Sequence, residues 1–445
     1  MTTIADQPSV FEELRPPLTE SEALLEADRC LECGGPYAPA PCVTACPANV
    51  DVPAFVGALA RGETEAAAAT IFAENLLGGT CARVCPVETL CEAACLLAHE
   101  GRRPLEIARL QRFATDAALD ADRPLRRARP RNWYSVAVIG AGPAGLVCAG
   151  ELAARGFDVT VYDERVEGGG LARFAIAPYR IEREPLPEEL RALTHLGVKF
   201  ELGVAIDTRD AIAYIESFND AVVLAVGMGA DADVPYPGDT LPGVWNSLPF
   251  IEAIKAGAPP DIGDSVVVIG GGNTAVDVAR EARMLGARSV TMLYRRTRAE
   301  MPAYPHEIEE ALEEGVRIEW LTVPLRFLGS ESLTGVECRR CRLGEPDESG
   351  RRSPEELPGT EFLLPADTVV KAIGQRNRTE LFELIDALEL ERGRPRIDTD
   401  TGQTTNPKYF AAGDVTNGGA TVVEAVRAAK VAAAGVDAFV GRREQ

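Results

Sequence analysis

The chain has 445 residues, 46% of them hydrophobic, enough to bury two or three domain cores. Its 68 acidic residues outweigh 46 basic ones for a net charge of -22, which argues against non-specific nucleic-acid binding, since that depends on Lys and Arg at phosphates. No apolar run approaches the roughly 18–20 residues that span a bilayer, and the Met1–Pro8 start lacks a basic region followed by an apolar one, so a soluble cytoplasmic chain is expected.

The 11 cysteines are unevenly placed: eight lie between Cys30 and Cys95, and the others are Cys148, Cys338 and Cys341. In a chain expected to be cytoplasmic, so dense a group suggests metal binding before disulfides. Residues 1–130 are predicted to be mostly helical with irregular cysteine loops. One helix starts near Leu18, with Thr19 or Ser21 as caps, and two short ones cover Val52–Leu59 and Glu63–Phe72. The charged stretch Asp120–Arg131, with two prolines and no periodicity, is predicted to be a linker.

Beyond it, short β-branched runs alternate with Ala-rich helical stretches, which indicates a parallel α/β architecture. The βα pattern occurs twice. The first strand, from Val136, runs into Gly140, Gly142, Pro143, Ala144 and Gly145, and a second strand ends at Asp163. The first glycine serves a tight turn, the second a close approach of backbone to pyrophosphate, and the third helix-on-strand packing. The pyrophosphate would sit at a helix N-terminus, and Asp163 is placed to accept from ribose hydroxyls.

The second copy, from Ser265, gives Gly270, Gly272, Asn273, Thr274 and Ala275, and its second strand is followed by Arg295 and Arg296 where the first copy has its acid. Guanidinium forks suit a 2′-phosphate that a carboxylate would repel, so NADPH is expected here rather than NADH. A third segment ends a buried strand at Gly413 and Asp414, and Thr421 starts a helix. This resembles flavoproteins with two dinucleotide sites. The resemblance implies FAD in the first site, with Asp414 on its ribityl side, the helix N-terminus at the flavin ring, and Gly170 and Arg173 as further contacts. The connections near Ala221 and Asp367 make the NADPH domain (229–364) an insertion in an FAD domain (131–228 and 365–445).

The cysteines run Cys30-x2-Cys33-x8-Cys42-x3-Cys46-Pro, then Cys81-x3-Cys85-Pro-x5-Cys91-x3-Cys95. Proline after a cysteine recurs in cluster proteins, and zinc is the competing reading. A flavin neighbour favours iron–sulfur, because clusters take a flavin's two electrons one at a time and zinc takes none. The whole chain resembles the flavin-containing small subunit of NADPH glutamate synthase and the matching portion of dihydropyrimidine dehydrogenase. That resemblance implies a helical double-cluster domain ahead of an interrupted FAD domain. One [4Fe-4S] cluster would use Cys30, Cys33, Cys42 and Cys95. The other would use Cys46, Cys85, Cys91 and Gln111, with Cys81 a spare buried thiol. Gln111 matches the dihydropyrimidine dehydrogenase branch, whereas the Gly34–Pro41 loop is longer than in that branch. Ala175–Arg180 departs from the family's Gly-Ile-Pro, and both Tyr294–Pro302 and Leu343–Arg352 resemble the glutamate synthase branch.

Cys338 and Cys341 lie in strand-like sequence and read as structural, as does Cys148 in a helix. His99, His195 and His306 form no metal or triad spacing, and hydride transfer needs no protein acid or base, so no catalytic side chain is assigned. The expected function is an NADPH-oxidising subunit that passes electrons from FAD through two [4Fe-4S] clusters to a large catalytic partner. The alternatives are a self-sufficient NADPH:ferredoxin-type reductase and a non-catalytic redox sensor.

Overall fold

Two short apolar runs, Val136–Ile139 and Val266–Ile269, become the buried central strands of two separate parallel sheets. The computed structural model describes residues 13–35, 37–122, 124–181, 184–346 and 352–441. The Met1–Pro8 start, Pro36 of the Gly34–Pro41 loop, Arg123 of the linker and positions 347–351 lie outside the described residues. The chain divides into two compact units. One comprises Leu14–Arg173, Arg183–Gly229 and Asn377–Gln445; the other takes Phe174–Glu182 and Ala230–Arg376.

The first unit begins with helices α1 (Glu20–Ala27), α2 (Pro41–Thr44), α3 (Val52–Ala60), α4 (Thr64–Glu74), α5 (Gly78–Val84), α6 (Leu96–His99) and α7 (Ile107–Asp120). Thr19 opens α1 through a capping box with Glu22, and Asp51 opens α3 by accepting from the Ala54 N–H at 3.1 Å. Phe55, Leu59, Ile71, Phe72, Leu77 and Leu110 are fully buried among these helices. The Asp120–Arg131 stretch has no regular structure but is tied down: Arg126 binds Glu151 at 2.7 Å and the Phe72 carbonyl at 2.5 Å.

Strands β1 (Ser135–Ile139), β2 (Asp158–Asp163), β3 (Lys199–Leu202) and β4 (Ala221–Leu224) follow, with helix α8 (Pro143–Ala154) between the first two. With the late strand Tyr409–Ala411 they form an all-parallel sheet in the order Tyr409–Ala411, β4, β1, β2, β3. The C-terminal helix Val422–Gly441 packs on α8.

The second unit holds β5 (Val244–Asn246), β6 (Ser265–Ile269), β7 (Ser289–Tyr294), β8 (Arg317–Trp320), β9 (Thr322–Gly329), β10 (Leu333–Pro346), β11 (Arg352–Glu356), β12 (Phe362–Pro365) and β13 (Thr368–Lys371). The parallel sheet runs β5, β13, β6, β7, β8, and β9–β12 form an antiparallel sheet beside it in sequence. Cys338 and Cys341 are buried on β10, where Cys338 belongs to an apolar cluster with Phe327, Leu333 and Val336. Among the described residues no helix is long and apolar enough to cross a membrane.

Candidate functional site

The loop from β1 to α8 shows why it needs three glycines. Gly140 has φ +108°, and a Cβ there would lie 2.4 Å from the Ala225 carbonyl oxygen. A Cβ on Gly145 would lie 1.9 Å from the Gly140 oxygen, so only glycine lets the helix come this close to the strand. Gly142, by contrast, has nothing nearer than the Gly170 Cα at 3.9 Å, leaving its backbone open to a phosphate. Pro143 and Ala144 open α8, and Gly170 holds φ +52° against Gly142. Gly413 is drawn into the same corner, since a Cβ on it would be 2.6 Å from that of Ala144.

Asp163 ends β2 and spends its carboxylate locally: Oδ2 accepts from the Ala141 N–H at 2.6 Å and Oδ1 from Arg165 N–H at 2.8 Å. A carboxylate has about four acceptor sites, so capacity for a ribose hydroxyl remains. Asp414 accepts from the Ala420 N–H at 3.0 Å, and burial raises its carboxyl above the usual range. Thr421 caps the C-terminal helix through reciprocal bonds with Glu424. Arg173 pairs with Glu167. These residues fit FAD by the open glycine, the helix N-terminus and the acid at the end of β2.

The second loop repeats the plan with a difference. Gly270 has φ +144° and would place a Cβ 2.1 Å from the Ala372 oxygen, while Gly272 faces open space. Ala275 stands in the third position and is buried there, so helix and strand sit far enough apart for one methyl. Asn273 holds the loop by accepting from the Tyr304 N–H at 3.0 Å, and Thr274 is exposed. Arg295 leaves β7 exposed. Arg296 does not match the expectation of a second phosphate fork: it is buried, with Nε donating to the Arg352 carbonyl at 2.9 Å. Both arginines lie in the bend that follows β7, which leaves Arg295 in solvent and carries Arg296 inward.

Residues that pattern reading did not select surround this loop. Tyr179 and Arg180 both donate to Asp277 on the nucleotide helix Asn273–Met284, at 2.5 and 2.6 Å, and Arg180 also binds Glu307 at 2.8 Å. The only sequence signal was an acid on the buried face of that helix.

In the helical region, Cys30, Cys33, Cys42 and Cys95 line one small pocket whose wall is otherwise apolar, including Val52, Leu97 and Ile107. Burial raises Cys30, and pushes Cys42 up to about 11. Cys46, Cys85 and Cys91 form a second neighbourhood, in which hydrogen bonding to Cys81 and burial raise Cys85 well above the usual thiol range. Cys81 is itself buried. Gln111, on α7, donates through Nε2 to the Gly78 carbonyl at 2.7 Å, at the start of the helix that carries Cys81. Among the described residues, no three Cys, His, Asp or Glu side chains converge closely enough to hold a single ion. An apolar pocket ringed by four soft donors suits a cluster, whose metal coordination lowers thiol pKa values and so overrides the burial effect.

The helical and flavin regions are joined by polar groups, some buried and some at the rim, that pattern reading also missed. Glu189 takes the Gly79 N–H at 2.8 Å, the Thr80 N–H at 3.1 Å and the Thr80 hydroxyl at 2.5 Å, at the N-terminus of α5. Lys430, on the C-terminal helix, donates to the Ala48 carbonyl at 3.0 Å and to Glu74.

Residues 134–429 match the pyridine nucleotide-disulphide oxidoreductase family, and residues 7–123 match the 4Fe-4S domain II of dihydropyrimidine dehydrogenase. The chain is 36% identical to the glutamate synthase [NADPH] small chain of Halomonas elongata, over 96% of this chain and 92% of that one. It is also 36% identical to the NADP(+)-dependent formate dehydrogenase subunit beta of Moorella thermoacetica, over 91% of this chain and 60% of that one. Mycobacterium tuberculosis FprA in complex with NADPH shares the fold, with a TM-score of 0.59 at 19% identity over 71% of this chain and 86% of that one. The chain therefore belongs to the pyridine nucleotide-disulphide oxidoreductase family, among the flavin and iron–sulfur NADPH oxidoreductase subunits typified by the glutamate synthase small chain.

Proposed function

We propose that this chain is the electron-input subunit of a larger enzyme: it oxidises NADPH and delivers electrons through two [4Fe-4S] clusters to a separate catalytic subunit. The observation that carries this is the convergence of Cys30, Cys33, Cys42 and Cys95 on one pocket in a chain that also builds two dinucleotide loops. The relatives named as small chain and subunit beta support a partner. FAD, when bound, supplies the exchange between two-electron hydride chemistry and one-electron transfer. Gly142 and the first turn of α8 hold its pyrophosphate, Asp163 its ribose, and Asp414 with Gly413 its ribityl side. Gly272, Asn273, Thr274 and Ala275 receive the nicotinamide nucleotide, and Arg295 takes its 2′-phosphate. Gly170 and Arg173 complete the flavin side. The domains we assign are helical 1–130, flavin 131–228 with 365–445, and nicotinamide 229–364.

Cys30, Cys33, Cys42 and Cys95 would hold one cluster; Cys46, Cys85, Cys91 and Gln111 would hold the other. Metal analysis and EPR of anaerobically purified protein test this. Gln111→Ala should about halve the iron per chain and remove one of two EPR signals, as expected when one of four ligands is lost. Unchanged iron and spectrum would remove Gln111 from the ligand set. NADPH-driven dye reduction by the purified chain tests the flavin half, and its absence would favour a redox sensor. Stable co-purification with a large subunit would count against a free ferredoxin-type reductase.

A further inference from the structure

One short segment leaves the first unit for the second and comes back. After Arg173 the chain enters the second unit for Phe174–Glu182 and rejoins the first at Arg183. The start of this excursion is tied to the first glycine loop. The Gly169 N–H donates to the Ala141 carbonyl at 2.7 Å, and a Cβ on Gly170 would lie 2.8 Å from the Gly142 Cα. The Arg173 N–H in turn donates to the Gly170 carbonyl at 3.0 Å. Further along, the single turn Pro178–Arg180 carries Tyr179, which is fully buried in the apolar core around the second nucleotide helix with Ala177, Val276 and Ala279.

What Tyr179 and Arg180 reach there is a group of buried acids. The Tyr179 hydroxyl and the Nε and Nη2 of Arg180 all donate to one oxygen, Oδ1 of Asp277, at 2.5, 3.1 and 2.6 Å. Arg180 also pairs with Glu307 at 2.8 Å. Asp277 stands one turn beyond Asn273, the first residue of the nucleotide helix, and Glu281 is buried one turn further on. The Arg280 guanidinium lies 4.7 Å from the Tyr179 ring but is itself paired with Glu310 and Glu314. Arg180 therefore balances the charge of Asp277, and withdrawing it would leave a buried carboxylate uncompensated, which is strongly unfavourable.

We propose that this segment is a strap that couples the affinities of the two nucleotide sites. Gly169–Arg173, when engaged by FAD, keep the strap seated, and the seated strap fixes the helix whose first turn receives the second nucleotide. The proposal rests on the reading of Gly142 and Gly170 as part of the FAD site and of Gly272–Ala275 as the nicotinamide nucleotide site. Linkage makes the effect reciprocal: bound FAD raises affinity for the nicotinamide nucleotide, and that nucleotide raises affinity for FAD by the same factor. Tyr179 and Asp277 are positioning residues, acting through the helix and on neither nucleotide directly.

The test probe is 2′-phospho-ADP-ribose, which keeps the pyrophosphate and 2′-phosphate of NADP+ but has no nicotinamide to stack on a flavin. Its Kd is measured by calorimetry on the full chain at matched iron content: with FAD, after FAD removal, and after FAD is added back. Wild type should bind the probe at least ~5-fold more tightly with FAD than without, the lower end of ordinary coupling, and should recover when FAD returns. Tyr179→Phe removes a hydroxyl and Asp277→Asn a charge, and neither empties the core as Tyr179→Ala would. Both variants should keep wild-type flavin per chain and bring the two Kd values together. Equal Kd values with and without FAD in wild type overturn the proposal, as does a wild-type ratio in both variants. Variants that weaken binding equally in the two forms also overturn it, because Tyr179 and Asp277 would then support the helix alone. Wild-type protein that purifies without flavin, or binds no probe in either form, overturns the underlying reading of the two sites instead.

Discussion

The two nucleotide loops are built from one template and differ at the point where helix meets strand. In the first, Gly145 leaves no room for a methyl, its Cβ position being 1.9 Å from the Gly140 oxygen. In the second, Ala275 occupies the equivalent place and is buried without displacing the turn. The buried acids of the two units differ too. In the first, Glu189 accepts three hydrogen bonds from α5. In the second unit, Glu281 is fully buried on the nucleotide helix with neither carboxylate oxygen hydrogen-bonded. The first loop is thus closed to any side chain at its third position, whereas the second holds one buried methyl there.

The largest effect should come from exchanging the glycine rule between the halves. Gly145→Ala forces a methyl into backbone, which has no flexible end to yield, and should leave protein with an order of magnitude less bound flavin, or none. Flavin absorbance per chain measures it. Ala275→Gly should retain full flavin and lose only about 1 kcal/mol of stability from the added helix glycine. If Gly145→Ala keeps its flavin, the distinction between the loops fails.

The next effect is a pH dependence. Burial, partly offset by its three donors, raises the Glu189 carboxyl to about 7. Its folded-state pKa lies above the unfolded value of 4.5, so its contribution is fully present below about pH 4.5 and is lost as pH rises to about 7. That loss is limited to about 3 kcal/mol. Glu189→Gln keeps an acceptor for Gly79 and Thr80 but cannot ionise. The variant should therefore flatten the Tm-against-pH curve between pH 4.5 and 7, which thermal melts at fixed ionic strength would show. Glu281→Gln is the contrast: with no hydrogen bond to lose and its carboxyl raised well above the usual range by burial, it should leave neutral-pH stability equal or higher.

Much of this was legible in the sequence because it follows from short, local rules. Both strand–glycine–helix units, Thr19 as a cap, and the four cysteines that meet at one pocket follow from spacing alone or with the family resemblance. What was not legible depends on contacts between residues far apart in the chain. Glu189 and Thr80 are 109 positions apart, and Tyr179 and Asp277 are 98 apart, so no periodicity could join them. The same holds for the linker: its charge and prolines predict a linker, but not that Arg126 finds Glu151 and a carbonyl of α4.

Arg295 and Arg296 give the smallest and most discriminating pair. The sequence sets them side by side as equals, whereas the bend after β7 leaves one exposed and the other buried. Arg295→Ala should lower kcat/KM for NADPH about 10–100-fold, the worth of one charge-assisted bond, and leave NADH unchanged. Arg296→Ala should instead cost about 1 kcal/mol of stability through its lost bond to the Arg352 carbonyl, with the NADPH:NADH ratio unaltered. Steady-state kinetics with both nucleotides, beside thermal melts of both variants, separates the roles. If Arg296→Ala collapses the nucleotide preference with no change in Tm, its guanidinium reaches the phosphate despite its burial, and the two arginines act as the fork that their adjacency suggested.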